Sequence, residues 1–279
     1  MKKIVLSVIG SVILFFFVLI LLGYYFTGSF YDEQYTKLLS QYNDEPIVKD
    51  TSGIPAPVKK YLEKVVLKDF NYVERVISQQ SGLFRTSAAA EWSEITANQE
   101  HTISEPGFLW NGEINFLPGL WVRAIDSYIN GTGNMLIKLN SSLTISDATG
   151  EQMDISSLGR YVSELPLFPM SMYNNKNVQW EEIDSVSSKM IFTDKKNTIK
   201  MDFFFNDEGL IYKAITLDRF LTSNAGYIQS PYTVWYENYK EFQGCMVPTE
   251  IKVEWNTKQG DFEYGKFVID EVKYLTGTE

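Results

Sequence analysis

Two carboxylates and two guanidinium groups stand where chemistry could follow. Asp126 lies in "LWVRAIDSYI" and Glu164 in "GRYVSEL", and Arg85 and Arg160 are the cations expected to pair with them. Two carboxyls can do acid–base work when their environments push their pKa values apart, with an arginine as electrostatic partner; that is the outline of a carboxylate-dependent hydrolase. The same four groups can instead neutralise one another as a salt-bridge lock between a helix and a sheet. Cys245 and His101 are the single cysteine and the single histidine. They read as a packed thiol and a surface imidazole, not as a nucleophile and its base. One cysteine excludes an internal disulfide, and one histidine removes zinc sites that need two imidazoles. There is no G-x-S-x-G elbow, and "DATGEQMD" lacks the spacing of a calcium loop. No catalytic residue, metal or cofactor is assigned.

The "GTG" of "INGTGNM" resembles the start of a phosphate-cradling loop, but Leu136 occupies the third glycine position of G-x-G-x-x-G. The next residues, "NMLIKLNSSLTIS", alternate like a strand and carry no helix signal. Asn130-Gly131 is instead a hairpin tip, because both residues tolerate positive φ.

These groups need elements to position them. On the strand around Asp126, Val122, Ala124, Asp126 and Tyr128 share one face, while Trp121, Arg123, Ile125 and Ser127 share the other. Both faces carry apolar bulk, so the strand is expected to be covered on both sides. Asp126 then needs a partner among apolar neighbours. "MDISSLGRYVSEL" predicts a helix over 154–165, capped by Asp154, with Ile155, Leu158, Val162 and Leu165 at helical spacing. Arg160 and Glu164 fall four apart on it. A second helix is expected over 57–67, where Val58, Tyr61, Leu62, Val65 and Val66 form one stripe. Elsewhere the alternation is that of strands: Ile199, Met201, Phe203 and Phe205, then Leu210, Tyr212 and Ala214 beyond "NDEG", and Ile251, Val253 and Trp255. Hairpin-spaced strands with few helices predict a mainly β (α+β) fold built on one curved antiparallel sheet, a half-barrel.

The 279 residues are ample for a core, and 25 basic against 35 acidic side chains give a net charge of −10. Such a chain repels nucleic-acid phosphates, so no nucleic-acid partner is expected. "MKK" precedes an uncharged run from Ile4 to Phe26, long enough to cross a bilayer. Its exit, "GYYFTG", suits a membrane interface better than a cleavage site. Lys2 and Lys3 are expected inside the cell and everything after Thr27 outside it. The organisation is thus a transmembrane anchor over 1–26, a polar tether with some helix over 27–54, and a β-rich extracytoplasmic domain over 55–279.

In order along the chain come Pro55, Pro57 and Val58; Gly82, Phe84 and Arg85; Trp92 and Gln99; and Pro106, Gly107, Phe108 and Trp110. Asp126, Tyr128, Gly131 and Gly133 come next, then Arg160, Tyr161 and Glu164, and finally Trp180, Ile183 and Asp184. This ordered set resembles a bacterial family of unknown function, mostly single-span or small membrane-associated proteins. The match covers about 55–275. It departs where the family tends to a Trp-Leu-Pro-type run after the glutamate; here the residues are "LPLFP". In architecture the pattern also resembles the LolA-type half-barrel, which implies a curved sheet closed by helices around an apolar pocket. The family has no established activity.

The leading expectation is a membrane-anchored binding module for a lipid or another apolar ligand, with Phe108, Trp110, Trp121 and Tyr128 as ligand-contacting aromatics. Arg85, Asp126, Arg160 and Glu164 would form its charged network. The alternatives are the hydrolase above and a structural or partner-binding protein of the cell envelope.

Overall fold

Alternating apolar residues and positive-φ turns organise the chain. Asn130 and Gly131, at φ 52° and 79°, make the two-residue tip expected of Asn-Gly. The computed structural model describes residues 2–42, 46–70, 72–223 and 226–276, and the side chains of Lys2, Lys3 and Ser223 lie outside what it describes.

A helix α1 (Lys2–Ser40) is followed by α2 (Ala56–Val65). Six strands come next: β1 (Arg75–Phe84), β2 (Ser93–Thr102), β3 (Gly107–Leu117), β4 (Leu120–Ile129), β5 (Thr132–Leu139) and β6 (Leu143–Ala148). The helix α3 (Glu151–Ser163) and two short 3-10 turns interrupt the sheet. After them run β7 (Val178–Asp184), β8 (Ser187–Asp194), β9 (Asn197–Phe205), β10 (Ile211–Thr216), β11 (Phe220–Ser223) and β12 (Gly226–Gln229). The chain closes with β13 (Tyr232–Phe242), β14 (Cys245–Thr257) and β15 (Gly260–Leu275). Thirteen strands form one sheet in the order β6-β5-β4-β3-β2-β1-β15-β14-β13-β10-β9-β8-β7, and β11 and β12 form a separate ribbon. Every pairing is antiparallel.

The sheet curls until its two wings meet. Tyr128 on β4 donates its hydroxyl to Asp194 on β8 (2.8 Å), and Asn197 on β9 donates to the Gly131 carbonyl at the hairpin tip (2.8 Å). α3 packs across the concave face between β5 and β9, with Leu158, Tyr161 and Val162 fully buried. It is seated on the second glycine of "GTG": a Cβ at Gly133 would come within 2.6 Å of the Met153 carbonyl.

Several expectations change in detail. α3 begins at Glu151, three residues before the expected cap. Asp154 sits inside the first turn, where its carboxylate accepts from the Gly133 N–H (2.9 Å) and so ties the helix to the β4–β5 hairpin. α2 starts one residue early, at Ala56, and ends at Val65. The run Ile199–Phe205 alternates as expected, but beyond "NDEG" the register shifts between Ile211 and Lys213. Ile211 and Ala214 are buried there, and Tyr212 is only half-buried.

The apolar helix continues well past Phe26. Its last three turns lie on the convex face of the sheet, where Phe30, Tyr31, Tyr35 and Leu38 cover Leu109, Ile125, Ile129 and Leu136. This is the second cover that the two apolar faces of β4 required.

Candidate functional site

β-Pleat parity puts Ser78 and Gln80 of β1, Gln99 and His101 of β2, Trp110 of β3 and Asp126 of β4 on the concave face. α3 lowers Arg160 and Glu164 onto that row. Arg160 donates through Nη1 to Asp126 Oδ2 (2.7 Å) and through Nε to Glu164 Oε1 (2.9 Å). Its guanidinium also lies over the rings of Trp110 and Phe108, at 4.8 and 5.2 Å. Glu164 Oε2 is held from the other side by His101 Nε2 (2.8 Å) and by the Gln99 amide (2.6 Å). Gln80 donates to Gln99 (2.8 Å) and accepts from the Trp110 indole (3.1 Å), completing a continuous polar row.

The two carboxyls are driven apart. Burial disfavours the ionised form of Glu164, but the Arg160 charge and the His101 hydrogen bond outweigh it and hold the group at about 2. Burial dominates at Asp126 and pushes its carboxyl up, with the Arg160 charge only partly offsetting it. Asp126 Oδ1 is buried and has no hydrogen-bond partner among the described residues.

Beyond this row the concave face opens into a cavity of about 570 Å³. Its inner end is polar, with Asp126, Arg160, Glu164 and Arg219. Its walls are apolar, with Val122, Ile137, Val253, Phe267 and Ile269 among them. Arg219 precedes β11 and is 8% exposed; its guanidinium lies over Tyr232 at 4.0 Å. Its stem crosses α3 at Gly159, where a Cβ would come within 2.8 Å of it. Arg219 Nε and Nη1 are also buried without a partner among the described residues.

The expected site residues divide. Arg160, Asp126 and Glu164 come together as anticipated. Arg85 does not join them: it donates to the Glu263 and Ala88 carbonyls and stacks over Trp92 at 4.5 Å, in the β1–β2 turn. The second cation near Asp126 is Arg219, whose place in the short link between β10 and β11 left no spacing to tie it to Asp126. Of the four aromatics, Trp110 lines the cavity. Phe108 and Tyr128 are fully buried in the core, Tyr128 with its hydroxyl committed to Asp194. Trp121 lies on the convex side, half-buried, donating to Ser141 Oγ (3.3 Å). His101 is not a surface imidazole but fully buried, since it bridges to Glu164 and packs 4.6 Å from the Phe168 ring. Cys245 is buried as expected, and burial pushes its thiol up to about 12. Among the described residues, no group of three or more His, Cys, Asp and Glu could hold a metal ion.

A family model described as a family of unknown function (DUF6920) matches residues 52–274, the β-rich domain almost entire. The chain belongs to this family. No curated protein matches it. Among solved structures it is similar to an outer membrane lipoprotein-sorting protein domain from Vibrio parahaemolyticus, at 13% identity and a TM-score of 0.42, over 74% of this chain and 87% of that one. It is similar to a DUF1329 family protein from Desulfovibrio piger at 12% identity and a TM-score of 0.43, over 74% and 88%. A LolA superfamily protein from Nitrosomonas europaea matches at 14% identity and a TM-score of 0.39, over 79% and 92%.

Proposed function

We propose that this DUF6920 protein is a single-span, N-in membrane protein whose outer domain binds a lipid or another amphipathic apolar ligand. The observation that carries the reading is the cavity of about 570 Å³. Its volume falls in the range of small-molecule sites, roughly 300–1,000 Å³, and its walls are apolar with a few polar groups at one end. An apolar chain would lie along Val122, Ile137, Val253 and Phe267, with Trp110 beside it. A polar end reaching inward would meet the unsatisfied Arg219 donors and Asp126 Oδ1. Hydrogen bonds from such a ligand would offset the cost of burying those groups.

The hydrolase alternative has less support. Arg160 is bonded to both carboxylates, and Glu164 at about 2 lies well below the range of a group that exchanges protons near neutral pH.

Native mass spectrometry of the full chain purified from membranes in mild detergent tests the reading. An apolar adduct, or uptake of an added long-chain fatty acid, supports it; a chain that carries and takes up neither contradicts it. Protease added to spheroplasts should digest the region after Thr27, and full protection of that region would overturn the topology.

A further inference from the structure

The turns of the sheet fall at two opposite ends. One end carries the segments 85–92, 118–119 and 140–142, since Phe84 pairs with Ser93, Glu94 with Asn115 and Val122 with Leu139. The other carries 103–106 and 130–131, where Thr102 pairs with Gly107 and Ile129 with Thr132. α1 runs the height of the sheet between them. At the first end Ser142 Oγ donates to the Leu19 carbonyl (3.3 Å), and Thr27 Oγ1 donates to the Ser141 carbonyl (2.8 Å). The fit there is close, because a Cβ at Gly23 would come within 2.5 Å of Ser142 Cα. At the other end the Gln41 amide meets Thr102 Oγ1 (2.8 Å) and the Asn130 N–H (2.9 Å).

The apolar run Ile4–Phe26 is about 35 Å long at 1.5 Å per residue, slightly more than the roughly 30 Å of bilayer hydrocarbon. Leu19 to Gly23 lie three to seven residues inside its outer limit. The 140–142 turn is therefore held about 5–10 Å below that limit. This is the depth at which interfacial segments bury their apolar faces.

The cavity opens at this same end. α3 roofs the opposite half, and the outer part of the cavity wall is formed by Phe84, Phe116, Leu120, Leu139 and Ile145. Around it Phe116, Leu117, Leu120, Leu143 and Ile145 are 37–67% exposed, on two neighbouring hairpins. In water such a rim is unfavourable, and apolar side chains clustered on hairpin tips mark a contact surface. Cations and aromatics suited to headgroups flank it: Arg123 lies 5.8 Å from the Tyr24 ring, and Arg85 and Lys266 lie over Trp92.

We propose that the β3–β4 and β5–β6 hairpin tips are inserted in the outer leaflet of the bilayer that α1 spans, so that the cavity mouth opens into lipid. Leu117, Leu120, Leu143 and Ile145 enter the acyl region. The insertion itself is independent of what the cavity holds. That lipid exchanges between leaflet and cavity without crossing water rests on the lipid-binding reading above.

The test uses the full chain in vesicles of phosphatidylcholine and phosphatidylglycerol. Leu117→Cys and Ile145→Cys are each labelled with an environment-sensitive fluorophore, and Asp207→Cys, on the exposed turn beside α2, is the reference. Cys245 does not compete, being buried with its thiol pushed up to about 12. Labels at 117 and 145 should emit as in an apolar medium and lose most of their intensity to a quencher on the upper acyl chain, while the label at 207 should not respond. Labels at 117 and 145 as wet and as unquenched as that at 207 would overturn the proposal. Both side chains are more than half exposed, so neither substitution removes core packing. Insertion without ligand uptake would leave this inference standing and refute the binding reading; uptake without insertion would do the reverse.

Discussion

Replacing Arg160 by methionine should destabilise the β-rich domain at neutral pH by about 3 kcal/mol, the lower end of the roughly 3–5 kcal/mol for breaking a buried ion pair from one side. Arg160 is the cation bonded to Asp126, whose side chain is 3% exposed and whose second oxygen already has no partner among the described residues. Glu164 suffers less, because His101 and Gln99 still hold its other oxygen. Asp126 escapes part of the cost by taking up a proton, which burial already favours. Methionine keeps the apolar stem and removes the guanidinium with its contacts over Trp110 and Phe108, so the loss reports the charged head. Urea unfolding of the full chain in detergent micelles, followed by tryptophan emission, reads the effect. With a slope of about 3 kcal/mol per molar, the midpoint should fall by about 1 M. The fall should be smaller at pH 5 than at pH 7, because protonated Asp126 no longer needs a cation. Adding Asp126→Asn to the variant should recover part of the loss. A midpoint that scarcely moves, or an equal fall at both pH values, would refute the view that Arg160 is a charge lock.

Glu164 predicts a separate pH signature. Its folded pKa is lowered from 4.5 to about 2, so it contributes stability above pH 4.5 that is lost as pH falls toward 2. That contribution is about 3–4 kcal/mol at 1.4 kcal/mol per pKa unit. Asp126, raised, works in the opposite sense in the wild type, so the comparison is with Glu164→Gln, whose unfolding midpoint should vary less between pH 5 and 2. Gly133→Ala should cost about 1–3 kcal/mol in the same assay, because its methyl would meet the Met153 carbonyl and lift α3 off the sheet. Arg219→Met should leave folding intact and weaken binding of a long-chain fatty acid roughly 10- to 100-fold, the loss of about 1.5–3 kcal/mol of charged hydrogen bonding, measured by titration calorimetry.

The sheet was legible because its strands keep their parity between bulges. Ile251, Val253 and Trp255 point inward as their alternation requires, and Asn-Gly makes the hairpin wherever both φ values are positive. The Asp126–Arg160–Glu164 cluster was legible from two local rules, strand parity and helical i, i+4 spacing. Parity also placed Trp121 opposite to Asp126, and it does lie on the convex side, away from the cavity. What local rules miss is long-range. Arg219 reaches Asp126's neighbourhood from the connection that leaves β10 for the β11–β12 ribbon, far along the sheet from β4. His101 shares the concave parity of Gln99, yet only α3's placement of Glu164 explains why an imidazole is buried there. The bulge between Ile211 and Lys213 leaves no mark in the alternation before it. Some helix was expected in the 27–54 tether, but its polar composition hid the continuity of α1 to Ser40, although Tyr31, Tyr35 and Leu38 already sat at helical spacing.

Whether the cavity holds lipid is tested most directly by titrating a fluorescent long-chain fatty acid into the delipidated full chain, wild type against Ile137→Trp and Leu139→Trp. Both residues line the cavity wall, and they pair with Ala124 and Val122 of β4, not with Asp126, so each substitution fills the cavity while leaving the lock in place. The wild type should bind saturably, with energy transfer from Trp110, and both variants should lose binding while unfolding at an unchanged urea midpoint. Equal binding by wild type and filled variants, or none by the wild type, would contradict the assignment of this cavity as a lipid site.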